Sequence, residues 1–168
     1  MFQFCEEGVM EMAMPQAGQS APAFTLPSSN GKQVSLEDFR GKNVVLYFYP
    51  KDMTPGCTKE SCEFRDYSPE FAALDTEIVG ISPDDLTSHN QFISEYNLPF
   101  QLLSDVDHKV CELYGVWKLL TWNGKQFMGV ERSTFLIDRQ GTIVKVWRGV
   151  KVDGHVQEVL EAVRSLQR

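Results

Sequence analysis

Six consecutive apolar residues, Val44-Val45-Leu46-Tyr47-Phe48-Tyr49, set the strongest limit on how this chain can fold. β-Branched and aromatic side chains in an unbroken run of this length suit a buried strand. The run stops at Pro50, and after a short turn a segment of helical character follows, Thr58 to Tyr67. Cys57 therefore stands where a strand gives way to a helix. Unpaired backbone N–H groups and the positive end of the helix are then aimed at its sulfur, and both favour thiolate over thiol. Cys62 follows five residues later, close enough to capture an oxidised Cys57. From these residues alone the reading is a thiol that reacts as a nucleophile and is rescued as a disulfide.

The spacing adds a mechanical constraint. Residues i and i+5 of an intact α-helix point roughly 140° apart and are separated by about 7.5 Å of rise. Their Cα atoms then lie about 8–9 Å apart, beyond the roughly 7 Å that a disulfide can span. Cys57 and Cys62 can bridge only if the first turns unwind. A permanent staple gains little by breaking the helix that carries it, whereas a transient catalytic disulfide can use that rearrangement as a step. The sequence thus predicts a helix wound when reduced and locally unfolded when oxidised.

Pro50, Thr54 and Cys57 fit the pattern P-x-x-x-T-x-x-C, and the fuller run Tyr47-Phe48-Tyr49-Pro50-Lys51 with Thr54-Pro55-Gly56-Cys57-Thr58 resembles the peroxiredoxins, in their bacterioferritin comigratory protein or peroxiredoxin Q branch. The segments Asp107 to Trp117 and Arg132 to Asp138 resemble the same branch, and the likeness runs from about Gly18 to the C-terminus. The resemblance implies a thiol-dependent peroxidase that reduces hydrogen peroxide and organic hydroperoxides and is recycled by a dithiol, usually thioredoxin. Matched residue by residue, Cys57 is the peroxidatic cysteine and Cys62 the resolving one, the two forming the redox-active disulfide. Thr54 would hydrogen-bond the thiolate and the peroxide, Pro50 would shield the sulfur from water, Arg132 would bring a guanidinium beside it, and Glu60 would stand near that arginine.

Elementary chemistry is consistent with those roles. Attack of a thiolate on an O–O bond moves negative charge from sulfur to the departing oxygen, and fixed donors along that path stabilise the transition state without reorganising. Arginine suits the task because it stays charged and offers several N–H donors in a planar fork. The first product is a sulfenic acid, which a neighbouring thiol converts to a disulfide. No metal or organic cofactor is required. Each residue also has an ordinary use: Thr54 as a helix N-cap, Pro55-Gly56 as a turn, Pro50 as a strand end and Arg132 as a surface charge. Their order around a cysteine pair favours the catalytic use. Two rivals remain. A thiol–disulfide oxidoreductase would share the nucleophile but normally spaces its cysteines two residues apart. A redox-controlled binding module would expose apolar surface when the helix unwinds.

The remaining features bound the answer. The 168 residues suit one domain, with 15–168 as a single unit and 1–14 as a short tail or start-site extension. Sixteen basic against twenty-three acidic residues give a net charge of −7 without a basic cluster, which argues against nucleic acid. No apolar run is long enough to span a bilayer, and the first residues do not read as a secretory signal, so a cytoplasmic location is expected. A monomer or weak dimer is expected from the resemblance.

Alternating segments predict an α/β thioredoxin-like fold, a central mixed sheet flanked by helices with an N-terminal β-hairpin extension. The hairpin is expected at 23–26 and 32–36, strands at 44–49, 77–82 and 101–104, helices at 86–96, 106–114 and 156–166, and a second hairpin at 133–137 and 142–146. Cys111 reads as a small buried cysteine and Cys5 as an exposed thiol in the tail. His89, His108 and His155 lack metal-ligand spacing and are expected to face solvent.

Overall fold

The computed structural model describes residues 15–166. The segment 1–14, with Cys5, lies outside the described residues. The apolar run forms β3 (Asn43–Phe48), buried at every position. It is buried because it is central: β3 runs parallel to β4 (Thr76–Ser82) on one side and antiparallel to β8 (Ser133–Ile137) on the other. β5 (Gln101–Ser104) and β9 (Ile143–Arg148) complete a mixed five-stranded sheet in the order β5-β4-β3-β8-β9. A strand covered on both faces needs no polar alternation, which is why the run is continuous.

Side chains of β3 point alternately to two cores. Val44, Leu46 and Phe48 meet Phe135, Ile137, and Val110 and Cys111 of α3 (Lys109–Leu113), together with Leu26 and Val34 from the N-terminal hairpin of β1 (Thr25–Pro27) and β2 (Gln33–Ser35). Val45, Tyr47 and the following Tyr49 face the other way. They meet Cys57, Phe64 and Phe71 of α1 (Pro55–Ala73), Phe92 of α2 (Leu86–Tyr96), and Val156, Val159 and Val163 of α4 (His155–Leu166). Fully burying each such side chain contributes about 1.5–3 kcal/mol, so Phe64 and Phe71 suffice to fix α1 against the sheet. Gly80 makes room for this packing, because a Cβ there would stand 2.7 Å from Leu102 and 2.9 Å from the Tyr47 ring.

The architecture is the expected mixed sheet flanked by helices. Three local expectations are corrected. The helix predicted over 106–114 is shorter, because residues 106–108 form a turn closed by His108 at a positive φ of 52°. The last strand extends to Arg148 rather than 146. An unforeseen hairpin, β6 (Trp117–Trp122) and β7 (Lys125–Val130), precedes β8 and forms a sheet of its own. Its turn is Asn123-Gly124, both at positive φ, a dipeptide that is a strong hairpin sign in any sequence. Among the described residues no helix is long and apolar enough to cross a membrane.

Candidate active site

The site is assembled at the start of α1. Thr54 is the extended N-cap, Pro55 takes the first helical position, and the first intrahelical bond runs from Thr58 N–H to the Thr54 carbonyl at 2.8 Å. The N–H groups of Gly56 and Cys57 precede that bond and lie at the positive end of the helix. Cys57 has no exposed surface.

Arg132 reaches this point from the segment between β7 and β8, its carbonyl accepting a bond from Val150 N–H at 2.9 Å. Its Nη2 donates to Cys57 Sγ at 3.3 Å and its Nη1 to Glu60 Oε1 at 2.7 Å. Glu60 follows Cys57 by three residues, so both project from one face of α1. The expected cluster of Cys57, Glu60 and Arg132 is therefore brought together, and the surface-charge reading of Arg132 gives way: its side chain is 15% exposed and that of Glu60 is 0% exposed. Burial pushes the Glu60 carboxyl up to about 7, against the pull of Arg132. Its Oε2 is buried with no hydrogen-bond partner. Burial opposes the charge of Arg132, but its hydrogen bonds and attraction to Glu60 and the Cys57 sulfur outweigh it and hold the guanidinium above its usual range. Gly56 allows this approach: a Cβ there would lie 3.1 Å from Arg132 Nη2.

Two expected contacts differ. The Thr54 hydroxyl donates to the Lys51 carbonyl at 2.8 Å instead of to the Cys57 sulfur. That bond closes the turn ahead of the helix and leaves the Thr54 oxygen available as an acceptor. Pro50 is exposed, and Cys57 is covered instead by the apolar cluster of Tyr47, Tyr49 and Phe64. Cys62 is half-buried, and Cys57 and Cys62 are both free thiols on a helix intact between them. Burial raises the Cys62 thiol above its ordinary value, with Arg65 opposing. Between the two cysteines, Ser61 Oγ shares a hydrogen bond with Tyr47 Oη at 2.9 Å, and Lys59 pairs with Asp153. Cys111 is buried as expected, its thiol pushed far up by burial and by the adjacent Asp105.

The histidines correct the solvent-facing expectation. His155 is buried, shares a hydrogen bond with Thr134 Oγ1 at 2.8 Å, and is pushed down to about 4, chiefly by burial. His89 is wholly buried, its Nδ1 2.7 Å from Asp52 and its Nε2 3.0 Å from the Leu103 carbonyl. His108 reaches the surface, stacked on Trp117 at 4.0 Å between ring centroids. Among the described residues one group, Asp52, Asp84 and His89, brings metal-type ligand atoms within 4.8 Å of one another. Protein donors already occupy it: Asp52 accepts from Tyr49 and Ser88, and Asp84 from Ser82 and the Asp52 N–H. Sequence reasoning passed over Asp52, though it lies five residues before Cys57 in the same turn.

Comparison with known proteins sets this geometry in context. The AhpC/TSA family matches residues 17–146. Peroxiredoxin Bcp of Bacillus subtilis is 52% identical over 151 residues, covering 90% of this chain and 96% of that protein. Peroxiredoxin Bcp of Escherichia coli K12 is 44% identical over 150 residues, covering 89% and 96%. Among solved structures, the Xanthomonas campestris bacterioferritin comigratory protein, studied for alkyl peroxide reduction, superposes with a TM-score of 0.85 at 40% identity, covering 90% of this chain and 99% of that one. A cysteine-to-serine mutant of Xylella fastidiosa PrxQ gives a TM-score of 0.87 at 35% identity, covering 92% and 98%.

Proposed function

The chain belongs to the AhpC/TSA family, its relatives being peroxiredoxins of the Bcp and PrxQ kind with a thioredoxin-like fold, and from that premise we propose that it reduces hydrogen peroxide and organic hydroperoxides through Cys57 and a disulfide with Cys62, recycled by thioredoxin. Peroxidase activity, with peroxide as oxidant and a thiol as reductant, follows from the relatives. The residue roles rest on one observation above all: a single half-buried guanidinium holds both the Cys57 sulfur and Glu60.

The Cys57 thiolate attacks one peroxide oxygen; an S–O bond forms as the O–O bond breaks. Cys57 becomes a sulfenic acid and the peroxide leaves, with a proton, as water or alcohol. Arg132 and the Cys57 N–H stabilise the charge that moves toward the departing oxygen. Glu60 fixes the fork of Arg132, and the Thr54 oxygen accepts the peroxide O–H. The first turns of α1 then unwind, and the Cys62 sulfur displaces water from Cys57, forming the S–S bond. A dithiol, thioredoxin in this reading, restores both thiols. Residues 15–168 act as one domain, a monomer or weak dimer in the cytoplasm.

The test is peptide mapping by mass spectrometry after one equivalent of hydrogen peroxide. A Cys57–Cys62 disulfide within seconds is the expected result. Cys57 remaining a thiol, or reacting no faster than Cys111, would sink the assignment and favour disulfide exchange.

A further inference from the structure

Beside the peroxide site lies a buried polar cluster that the reaction above does not use. Asp52, in the middle of the turn between β3 and α1, accepts hydrogen bonds from Tyr49 Oη at 2.6 Å and Ser88 Oγ at 2.8 Å. Its other buried neighbour is His89 Nδ1 at 2.7 Å. The Asp52 N–H donates to Asp84 Oδ2 at 2.7 Å, and Asp84 accepts in turn from Ser82 Oγ at 2.6 Å. The ring of His89 is wholly buried and its Nε2 donates to the Leu103 carbonyl at 3.0 Å. A carbonyl can only accept, so the Nε2 proton is fixed there. The cluster thus joins the C-terminal ends of β3, β4 and β5 and the first turn of α2 to one residue of the active-site turn.

The residue after Asp52 shows what this attachment holds. Met53 is 42% exposed yet adopts a left-handed backbone, φ 69°. A non-glycine residue persists there only where its surroundings over-determine it. Asp52 is anchored on one side of Met53. On the other, Thr54 stands at the N-terminal boundary of α1 and its hydroxyl donates to the Lys51 carbonyl. The strained residue therefore sits between an anchor and the helix start that presents Cys57.

We propose that Asp52 and His89 are positioning residues for Cys57: their buried pair clamps the active-site turn and favours the wound first turn of α1 over the unwound one. This rests on the Cys57–Cys62 cycle proposed above. The wound helix reacts with peroxide, and the unwound helix forms the disulfide. By favouring the wound form the clamp speeds attack on peroxide and prolongs the life of the sulfenic acid. A second peroxide can then oxidise that sulfenic acid to sulfinic acid, transferring one more oxygen to sulfur and leaving as water or alcohol. The clamp therefore sets how the sulfenic acid divides between disulfide and over-oxidation.

The test compares the full chain with its Asp52→Asn and Ser88→Ala variants. Rapid quenching and mass spectrometry would give the rate of Cys57 oxidation, the rate of disulfide formation, and the sulfinic fraction at excess peroxide. Asp52→Asn keeps the shape of the side chain but not its charge. It is expected to slow Cys57 oxidation about tenfold, as for a displaced reacting group, and to lower the sulfinic fraction severalfold. Ser88→Ala should act in the same directions by about threefold, the effect of one hydrogen bond. Unchanged oxidation rate and product division in folded Asp52→Asn would overturn the proposal, as would slower disulfide formation in either variant, since loosened packing alone would not divert the products. Should Asp52→Asn fail to fold, Ser88→Ala decides the matter, and wild-type values there overturn it. If the unaltered chain forms no Cys57–Cys62 disulfide, the cycle itself fails and the inference falls with it.

Discussion

Arg132 and Glu60 meet inside the protein at 2.7 Å, while the other arm of the same guanidinium reaches the Cys57 sulfur at 3.3 Å. Two groups share one fork, so its shape matters as well as its charge. Arg132→Lys keeps the charge but offers a compact ammonium that cannot span both partners. The expected result is a fall of about a hundredfold in the second-order rate of Cys57 oxidation, comparable to losing one fixed donor at a reacting centre. Stopped-flow measurement would show it, and an unchanged rate would mean that charge alone suffices.

Glu60 gives a signature in stability. Its carboxyl is raised from an ordinary 4.5 to about 7 in the folded protein, mainly by burial. Between those values the folded chain holds a proton that the unfolded chain has released. Its stabilising contribution is therefore complete below about 4.5 and is lost as pH rises through about 7. Glu60→Gln cannot titrate. Across that window the wild type should lose stability relative to Glu60→Gln, with no further relative change above it. Urea melts at several pH values would read the difference, and parallel curves would contradict the burial argument.

Gly56 separates stability from catalysis. Alanine there should favour the helix by up to about 1 kcal/mol. Its Cβ, however, would stand 3.1 Å from the Arg132 nitrogen that donates to the sulfur, tight enough to move the guanidinium by a few tenths of an ångström. Gly56→Ala is expected to melt no lower than wild type and to oxidise Cys57 several times more slowly. Melting and stopped-flow measurements on one sample would test both halves.

The thiols should differ in reactivity. Cys111 is buried beside Asp105, which together with burial keeps its thiol protonated, whereas Cys62 is only half-buried. Brief alkylation of the native reduced protein should label Cys62 and spare Cys111. Cys62→Ser should still react once with peroxide and then stop as a sulfenic acid trappable by dimedone. Normal cycling with thioredoxin would move resolution to another thiol.

The layout of the fold was legible because β3 announces itself as an unbroken apolar run, and because turns and helix periods are local signals. The cluster of Cys57, Glu60 and Arg132 was legible only through resemblance: 72 residues separate Glu60 from Arg132, and no local rule brings them together. His89 and His155 were misplaced for the same reason. A histidine amid polar neighbours reads as exposed, and its burial depends on distant partners, Asp52 for one and Thr134 for the other. The Thr54 contact was missed because a carbonyl three residues back in a tight turn competes for the same proton. The β6–β7 hairpin was overlooked despite its Asn123-Gly124 turn, since its strands carry apolar side chains on both faces, with Leu119, Trp122, Phe127 and Met128 exposed.

Glu60 and Ser61 lie between the two cysteines on α1, so a helix that opens to join Cys57 and Cys62 must also loosen Glu60 from Arg132 and Ser61 from Tyr47. In the proposed cycle the dithiol form keeps these partners and the disulfide form would give them up, leaving the Arg132 guanidinium without its contacts to Glu60 and Cys57. Buried charge without a partner is costly. A disulfide whose reduced form is the better stabilised of the two is a strong oxidant, because the equilibrium with any external dithiol is pulled toward reduction. On the proposed cycle, the contacts that hold Cys57 in its reduced form would therefore also make the oxidised protein easy to recharge with electrons.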